Sequence, residues 1–270
     1  MGREKHMPVN YDLSNAEYHA LPHLSASGAK TIAMQSLADF KHGERKETTA
    51  MLVGTAAHTL VFEPNLADTI WQWDGRRAGK EYNEFKDSAD EAGAIILNTK
   101  EYDQVSRMAE AVRANPAAAE MLSGNLVCEA SVLTTDALTG VDLRARPDGW
   151  RTDIACVLDL KTTVDPSPEG FAKQAANFGY HVQESFYRRV MELDGHEVDR
   201  FIFIAVGKEA PYKVGIYELD TESLNEGEAA VQYALEQYAI AQANNEWGYD
   251  YGELTTIRIP PWSFKFTEAN

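Results

Sequence analysis

The sequence predicts an α/β (α+β) architecture, a central mixed β-sheet flanked by helices, and three observations carry that prediction. Apolar and small residues recur at helical spacing in the first half of the chain, from Leu24 onward. Between Leu126 and Lys161 the period falls to two, the mark of half-buried strands. A helix, two further strands and a closing helix follow, and this order sets helices against a mixed sheet.

The first helix is expected over Leu24–Ala38, with Ser25 and Ser27 placed to cap its start. A second runs over Thr48–Phe62, apolar at Met51, Leu52, Leu60 and Val61, and stops at Glu63-Pro64. The stretch Trp73–Asp90 is polar and carries the loop Gly75-Arg76-Arg77-Ala78-Gly79-Lys80. A helix over Lys100–Ala114 is broken by Asn115-Pro116 before a short helix to Leu122. Leu126–Thr134 and Val141–Pro147 form a hairpin about the turn Asp136–Gly140, and Ile154–Lys161 is a third strand after a turn at Asp148–Asp153. Phe171–Leu193 reads as one long helix, Arg200–Val206 and Lys213–Leu219 as strands, and Thr221–Asn244 as the closing helix. No Gly/Ser or Pro-rich linker separates two cores, so residues 11–270 are expected to form one domain behind an N-terminal extension at 1–10.

Composition narrows the class. The chain of 270 residues is 44% hydrophobic and 10% aromatic, ordinary values for a packed domain, and no apolar run approaches the roughly 20 residues of a bilayer helix. Cys128 and Cys156 are too few for a disulfide framework, a four-cysteine zinc site or an iron–sulfur cluster, which fits a reducing cytoplasm. A formal charge of −17 argues at first sight against nucleic acid as a partner. The excess is unevenly placed: Ile216–Asn270 holds ten acidic residues against Arg258 and Lys265, a net of −8, whereas Leu24–Lys86 balances eight of each sign. Net charge therefore does not exclude DNA.

The strands carry the chemistry. Alternation puts Val141, Leu143 and Ala145 on one face and Asp142, Arg144, Arg146 and Asp148 on the other. In the next strand Asp159 and Lys161 share a face, about 7 Å apart, with Asp148 brought beside them by the turn. Two carboxylates on neighbouring strands suit a hard divalent cation, and an adjacent ammonium could orient an attacking water. Earlier, Gly54-Thr55-Ala56-Ala57-His58 sets His58 over the turn containing Gly54, where a missing side chain leaves room. Later, Gln183 and Tyr187 lie four apart on one helical face.

Pro147-Asp148, ten residues, then Asp159-Leu160-Lys161 resembles the PD-(D/E)xK signature of nucleases with a restriction-endonuclease-like core. Gly-x-x-x-His before it and Gln-x-x-x-Tyr after it resemble the RecB-like branch, and within that branch the RecE-type exonucleases of prophages. The opening Tyr11–His19, Leu24-Ser25-Ala26-Ser27, Arg76–Tyr82 and Arg146-Pro147-Asp148-Gly149 look like the same family, with Ala78 a departure from its tighter Arg-Gly-Lys loop. The resemblance implies a metal-dependent 5′-to-3′ exonuclease on linear double-stranded DNA. It would release 5′-mononucleotides and leave 3′ overhangs for an annealing recombinase.

It further implies Mg²⁺, replaceable by Mn²⁺, with two ions per site, and a homo-oligomeric ring, a tetramer by family. His58, Asp148, Asp159 and the Leu160 carbonyl would be metal ligands, Lys161 would serve the attacking water, and Gln183 and Tyr187 would hold the scissile strand. Glu129, on the hairpin strand beside Asp148, reads equally as a ligand of a second ion or as a structural salt bridge. Ser25, Ser27 and Lys30 read as a helix cap that also offers hydroxyls and a cation to a terminal 5′-phosphate. Arg76, Arg77 and Lys80 read as phosphate contacts at the fork or as a solvated loop. An endonuclease or repair nuclease on the same core, and an inactive DNA-end-binding protein, are the alternatives.

Overall fold

The computed structural model describes residues 13–44, 48–248 and 254–264. The expected extension at 1–10, and Tyr11 where the resemblance begins, lie outside them. The elements in order are α1 (Asn15–Ala20), β1 (Leu24–Ser25), α2 (Ala26–Met34), α3 (Leu37–His42), α4 (Thr49–Phe62), β2 (Ile70–Gln72), α5 (Lys80–Ala92), β3 (Ile95–Leu97), α6 (Thr99–Ala114) and α7 (Pro116–Met121). After these come β4 (Leu126–Cys128), β5 (Val132–Thr135), β6 (Asp142–Ala145), β7 (Gly149–Arg151), β8 (Cys156–Thr163), α8 (Pro168–Phe178), α9 (Tyr180–Leu193), β9 (Arg200–Gly207), β10 (Val214–Tyr217) and α10 (Thr221–Asn244).

The main sheet has the order β10-β9-β8-β7-β4 and is mixed: β8 and β9 run parallel, and the other neighbours antiparallel. Strand β8 is buried on both faces, beyond the half-burial that alternation predicts. Leu158 and Leu160, with Ile202 and Ile204 of β9, pack under α4 and α6. Val157, Phe201 and Phe203 face α9 and α10. Each such side chain removed from water contributes about 1.5–3 kcal/mol, so the strand that carries Asp159 and Lys161 is anchored along its length.

The hairpin departs from expectation. Its first strand divides between two sheets, β4 joining the main sheet and β5 pairing with β6, which also pairs with β1; the second ends as β6, and β7 starts anew in the main sheet. The division has local causes. Glu129 turns the first strand with φ +52, and Pro147, which lacks an N–H, interrupts the second. The expected turn at Asp148–Asp153 therefore contains β7. Other expected elements divide in the same manner. Leu24–Ala38 becomes β1, α2 and the start of α3, broken at Gln35, and Phe171–Leu193 becomes α8 and α9 about the left-handed Gly179 (φ +63). The polar stretch around residue 80 contains α5, and the short parallel pair β2–β3 was not expected from the sequence.

Candidate active site

The site lies where β8 outruns β7. Gly149, the first residue of β7, pairs with Leu158, so Asp159 to Thr163 have no β7 partner. Asp148 fills the gap with its side chain: its Oδ2 accepts the Leu160 N–H at 2.8 Å. Helix α4 approaches from one side because Gly149 leaves room for it. A Cβ at Gly149 would sit 2.7 Å from Phe62 Cε1. The same helix brings His58 Nδ1 to 3.0 Å from Asp148 Oδ2. Gly54, one turn earlier, faces open space, as its pairing with His58 in the sequence led us to expect.

Helix α9 closes the other side. Lys161 Nζ lies 2.6 Å from Asp159 Oδ2 and donates to Gln183 Oε1 at 3.1 Å, while Gln183 Nε2 donates to Asp159 Oδ1 at 2.5 Å. The three side chains form a closed triangle, with Asp159 only 1% exposed. Tyr187 donates its hydroxyl to the Arg146 carbonyl at 3.1 Å and so braces the segment that carries Asp148.

Electrostatics separate the two aspartates. Burial raises both, but at Asp148 the His58 imidazole, Lys161 and the Leu160 N–H outweigh it and hold the carboxyl below the usual range. At Asp159 burial and the charge of Asp148 prevail over Lys161, and the carboxyl is pushed up. Burial pulls His58 and Lys161 down, and the carboxylates more than restore them, so both stand above their ordinary values. Glu129 is raised to about 7 by burial and by Asp148.

Two cavities flank this centre. One, of about 190 Å³, is lined by Ser25, Ser27, Lys30, Arg144, Gln183 and Tyr187 among others. The hydroxyls of Ser25 and Ser27 are 3.0 Å apart, and Ser25 caps α2 through the Gly28 N–H, so the capping reading and the cavity coexist. Lys30 is lowered to about 8, by burial first and then by Lys161. The other cavity is a groove of about 760 Å³ that includes Gly54, His58, Glu63, Cys128, Glu129 and Arg146. Arg76, Arg77 and Lys80 line neither cavity. Arg77 pairs with Glu101 at 2.8 Å, and the exposed Lys80 faces Glu84 at 3.6 Å.

Several neighbours were not legible as site residues. Arg144 and Arg146, assigned by alternation to a charged face, are buried beneath the N-terminal segment. Their guanidinium carbons lie 4.9 and 4.2 Å from the Tyr18 ring centroid, and they donate to the carbonyls of Leu21 and Leu13 respectively. Glu63, expected only to end a helix, lines the groove beside His58 and Glu129, and the only signal for it was its place five residues after the histidine.

Among the described residues no three His, Cys, Asp or Glu side chains form a ready-made cage for an ion. The donor set nevertheless fits a hard cation that keeps most of its waters and needs only one or two carboxylates. The charge of Asp148 raises the carboxyls of both Asp159 and Glu129, so an ion bound among them would relieve that repulsion.

This fold, with Asp148 just before β7 and Asp159 and Lys161 on the central strand β8, is that of a PDDEXK-like domain. Residues 23–260 match the family described as a PDDEXK-like domain of unknown function (DUF3799), and the chain belongs to that family. A candidate exonuclease from Eubacterium rectale has a similar structure, with a TM-score of 0.62 and 16% identity over 87% of this chain and 88% of that one. A phage-related exonuclease from Haemophilus somnus aligns over 83% of this chain and 96% of its own at 13% identity, with a TM-score of 0.39. At these identities the likeness shows the fold alone. No curated protein matches the sequence. Nucleases of this fold generally use divalent metal ions. Among the described residues no helix is long and apolar enough to cross a membrane.

Proposed function

We propose that the protein is a metal-dependent exodeoxyribonuclease that degrades one strand of linear duplex DNA from its 5′ end, releasing 5′-mononucleotides and leaving 3′ overhangs. The observation that carries the reading is the convergence of Asp148, Asp159 and Lys161 between a small cationic cavity and an open groove. A cavity of about 190 Å³ bearing two hydroxyls, Lys30 and Arg144 suits one terminal phosphate and leaves little room for a continuing duplex.

In this reading His58, Asp148, Asp159 and Glu129 hold Mg²⁺, or Mn²⁺ in its place, as two ions when DNA is bound. The Leu160 carbonyl joins them: its N–H already points at Asp148, and the N–H and C=O of one strand residue lie on the same side. The ions supply Lewis-acid stabilisation and a water of lowered pKa. Lys161 orients that water and neutralises charge that develops on the phosphate. Gln183 fixes both Lys161 and Asp159, and Tyr187 shapes the wall against which the scissile strand rests. Ser25, Ser27 and Lys30 receive the 5′-phosphate. Arg76 and Lys80, exposed on their loop, contact phosphates outside the centre, with Arg77 anchoring that loop through Glu101. A homo-oligomeric ring and an annealing recombinase that receives the 3′ overhang belong to the same reading and rest on the sequence resemblance alone.

The test compares covalently closed plasmid with the same plasmid linearised, each in Mg²⁺ and in chelator. Degradation of the linear form only, and only with metal, is expected. Equal cutting of the closed circle would assign an endonuclease, and an intact linear duplex would assign an end-binding protein.

A further inference from the structure

Lys161 is unusual in how its charge is accommodated. An ammonium has three donors and, buried, needs partners for its charge. Asp159 and Gln183 occupy two directions, at 2.6 and 3.1 Å. The third side is faced by an aromatic ring: Nζ lies 4.7 Å from the centroid of Tyr180. A cation at this distance from a ring face is attracted by its quadrupole, most strongly where water is excluded.

The ring is itself held in place. The Tyr180 hydroxyl accepts from Gln174 Nε2 at 2.8 Å, and Gln174 Oε1 bonds the Thr163 hydroxyl at the end of β8. Stacking against Phe203, with centroids 5.7 Å apart and planes 20° apart, fixes the other coordinates of the ring. Tyr180 opens α9 directly after the left-handed Gly179, so the helix break sets the direction of the ring, and Gln183 follows one turn later on the same side. The Nζ of Lys30, in the phosphate cavity, lies 6.0 Å from the same centroid. One ring thus borders two ammonium groups, those of Lys161 and Lys30.

We propose that Tyr180 is a positioning residue: its ring seats the Lys161 ammonium against Asp159 and Gln183, where it faces the reacting phosphate. The proposal rests on the nuclease reading above. Its distinctive consequence is that the ring matters far more than the hydroxyl, because stacking on Phe203 still holds the ring when the hydroxyl is removed.

The experiment uses the full chain with Tyr180→Leu and Tyr180→Phe, assayed on 5′-phosphorylated linear duplex in Mg²⁺, with duplex binding measured in chelator and thermal melting as a check on folding. Tyr180→Leu is expected to lower kcat on the order of tenfold with KM and binding unchanged. Tyr180→Phe is expected to stay within about twofold of wild type. Equal loss in both variants, a loss confined to KM, or full activity in Tyr180→Leu would overturn the proposal. Crystal structures keep it testable if wild type proves inactive and the nuclease reading fails. Displacement of Lys161 Nζ from Asp159 in Tyr180→Leu but not in Tyr180→Phe supports the proposal, and an unmoved ammonium refutes it.

Discussion

The two cavities beside the centre differ in charge and in openness. The small one gathers Lys30 and Arg144 around two hydroxyls, whereas the groove gathers Glu63 and Glu129 beside His58 and Arg146. Asp148, Asp159 and Lys161 stand between them. A chain of net charge −17 thus keeps Lys30 and Arg144 on one side of its site and sets two carboxylates, with Arg146, on the other. Local arrangement, rather than total charge, decides where a phosphate and where a metal ion would sit.

Substitutions at the boundary should have the largest effects. Asp148→Asn or Asp159→Asn keeps the volume but removes charge, and should lower hydrolysis of linear duplex about a thousandfold or more while the protein still melts cooperatively. Lys161→Ala should lower kcat roughly a hundredfold and leave Mn²⁺ binding, measured by calorimetry, nearly unchanged. Wild-type turnover in any of the three would break the division between the cavities, because the centre would then lie elsewhere.

Smaller effects separate the two sides. Lys30→Ala should weaken the preference for 5′-phosphorylated over 5′-hydroxyl ends by about tenfold without changing the rate on hydroxyl ends, as read in a competition assay. On the groove side, Glu129 has a folded pKa of about 7 against an unfolded value near 4.5, so the folded state binds the proton more tightly. Its ionisation therefore opposes folding, and the penalty grows as pH rises from about 4.5 through 7. In chelator, Glu129→Gln should stabilise the protein by about 1–3 kcal/mol at pH 8 and by little at pH 5, measured by urea unfolding. Equal stabilisation at both pH values would mean that the groove does not crowd carboxylates.

Much of the centre was legible in the sequence, because alternation and helical spacing report which side chains share a face. Asp159 and Lys161 on β8, His58 above Gly54 on α4, and Gln183 with Tyr187 on α9 follow from those periods. The fold was less legible where one residue overrides a period. A non-glycine in left-handed conformation at Glu129 and a left-handed glycine at Gly179 divide segments whose hydrophobic pattern runs straight through them. Arg144 and Arg146 alternate as an exposed face would, and only the N-terminal segment around Tyr18, distant in sequence, buries them. Tyr180 reads as an ordinary helix aromatic until β8 is placed beside it.

The most direct measurement is a time course on linear duplex labelled at either the 5′ or the 3′ end of one strand, in Mg²⁺. Early release of the 5′ label as a mononucleotide, while the 3′ label stays in long fragments that shorten progressively, is the predicted result. Release of the 3′ label first, or internal fragments from both substrates at once, would contradict it.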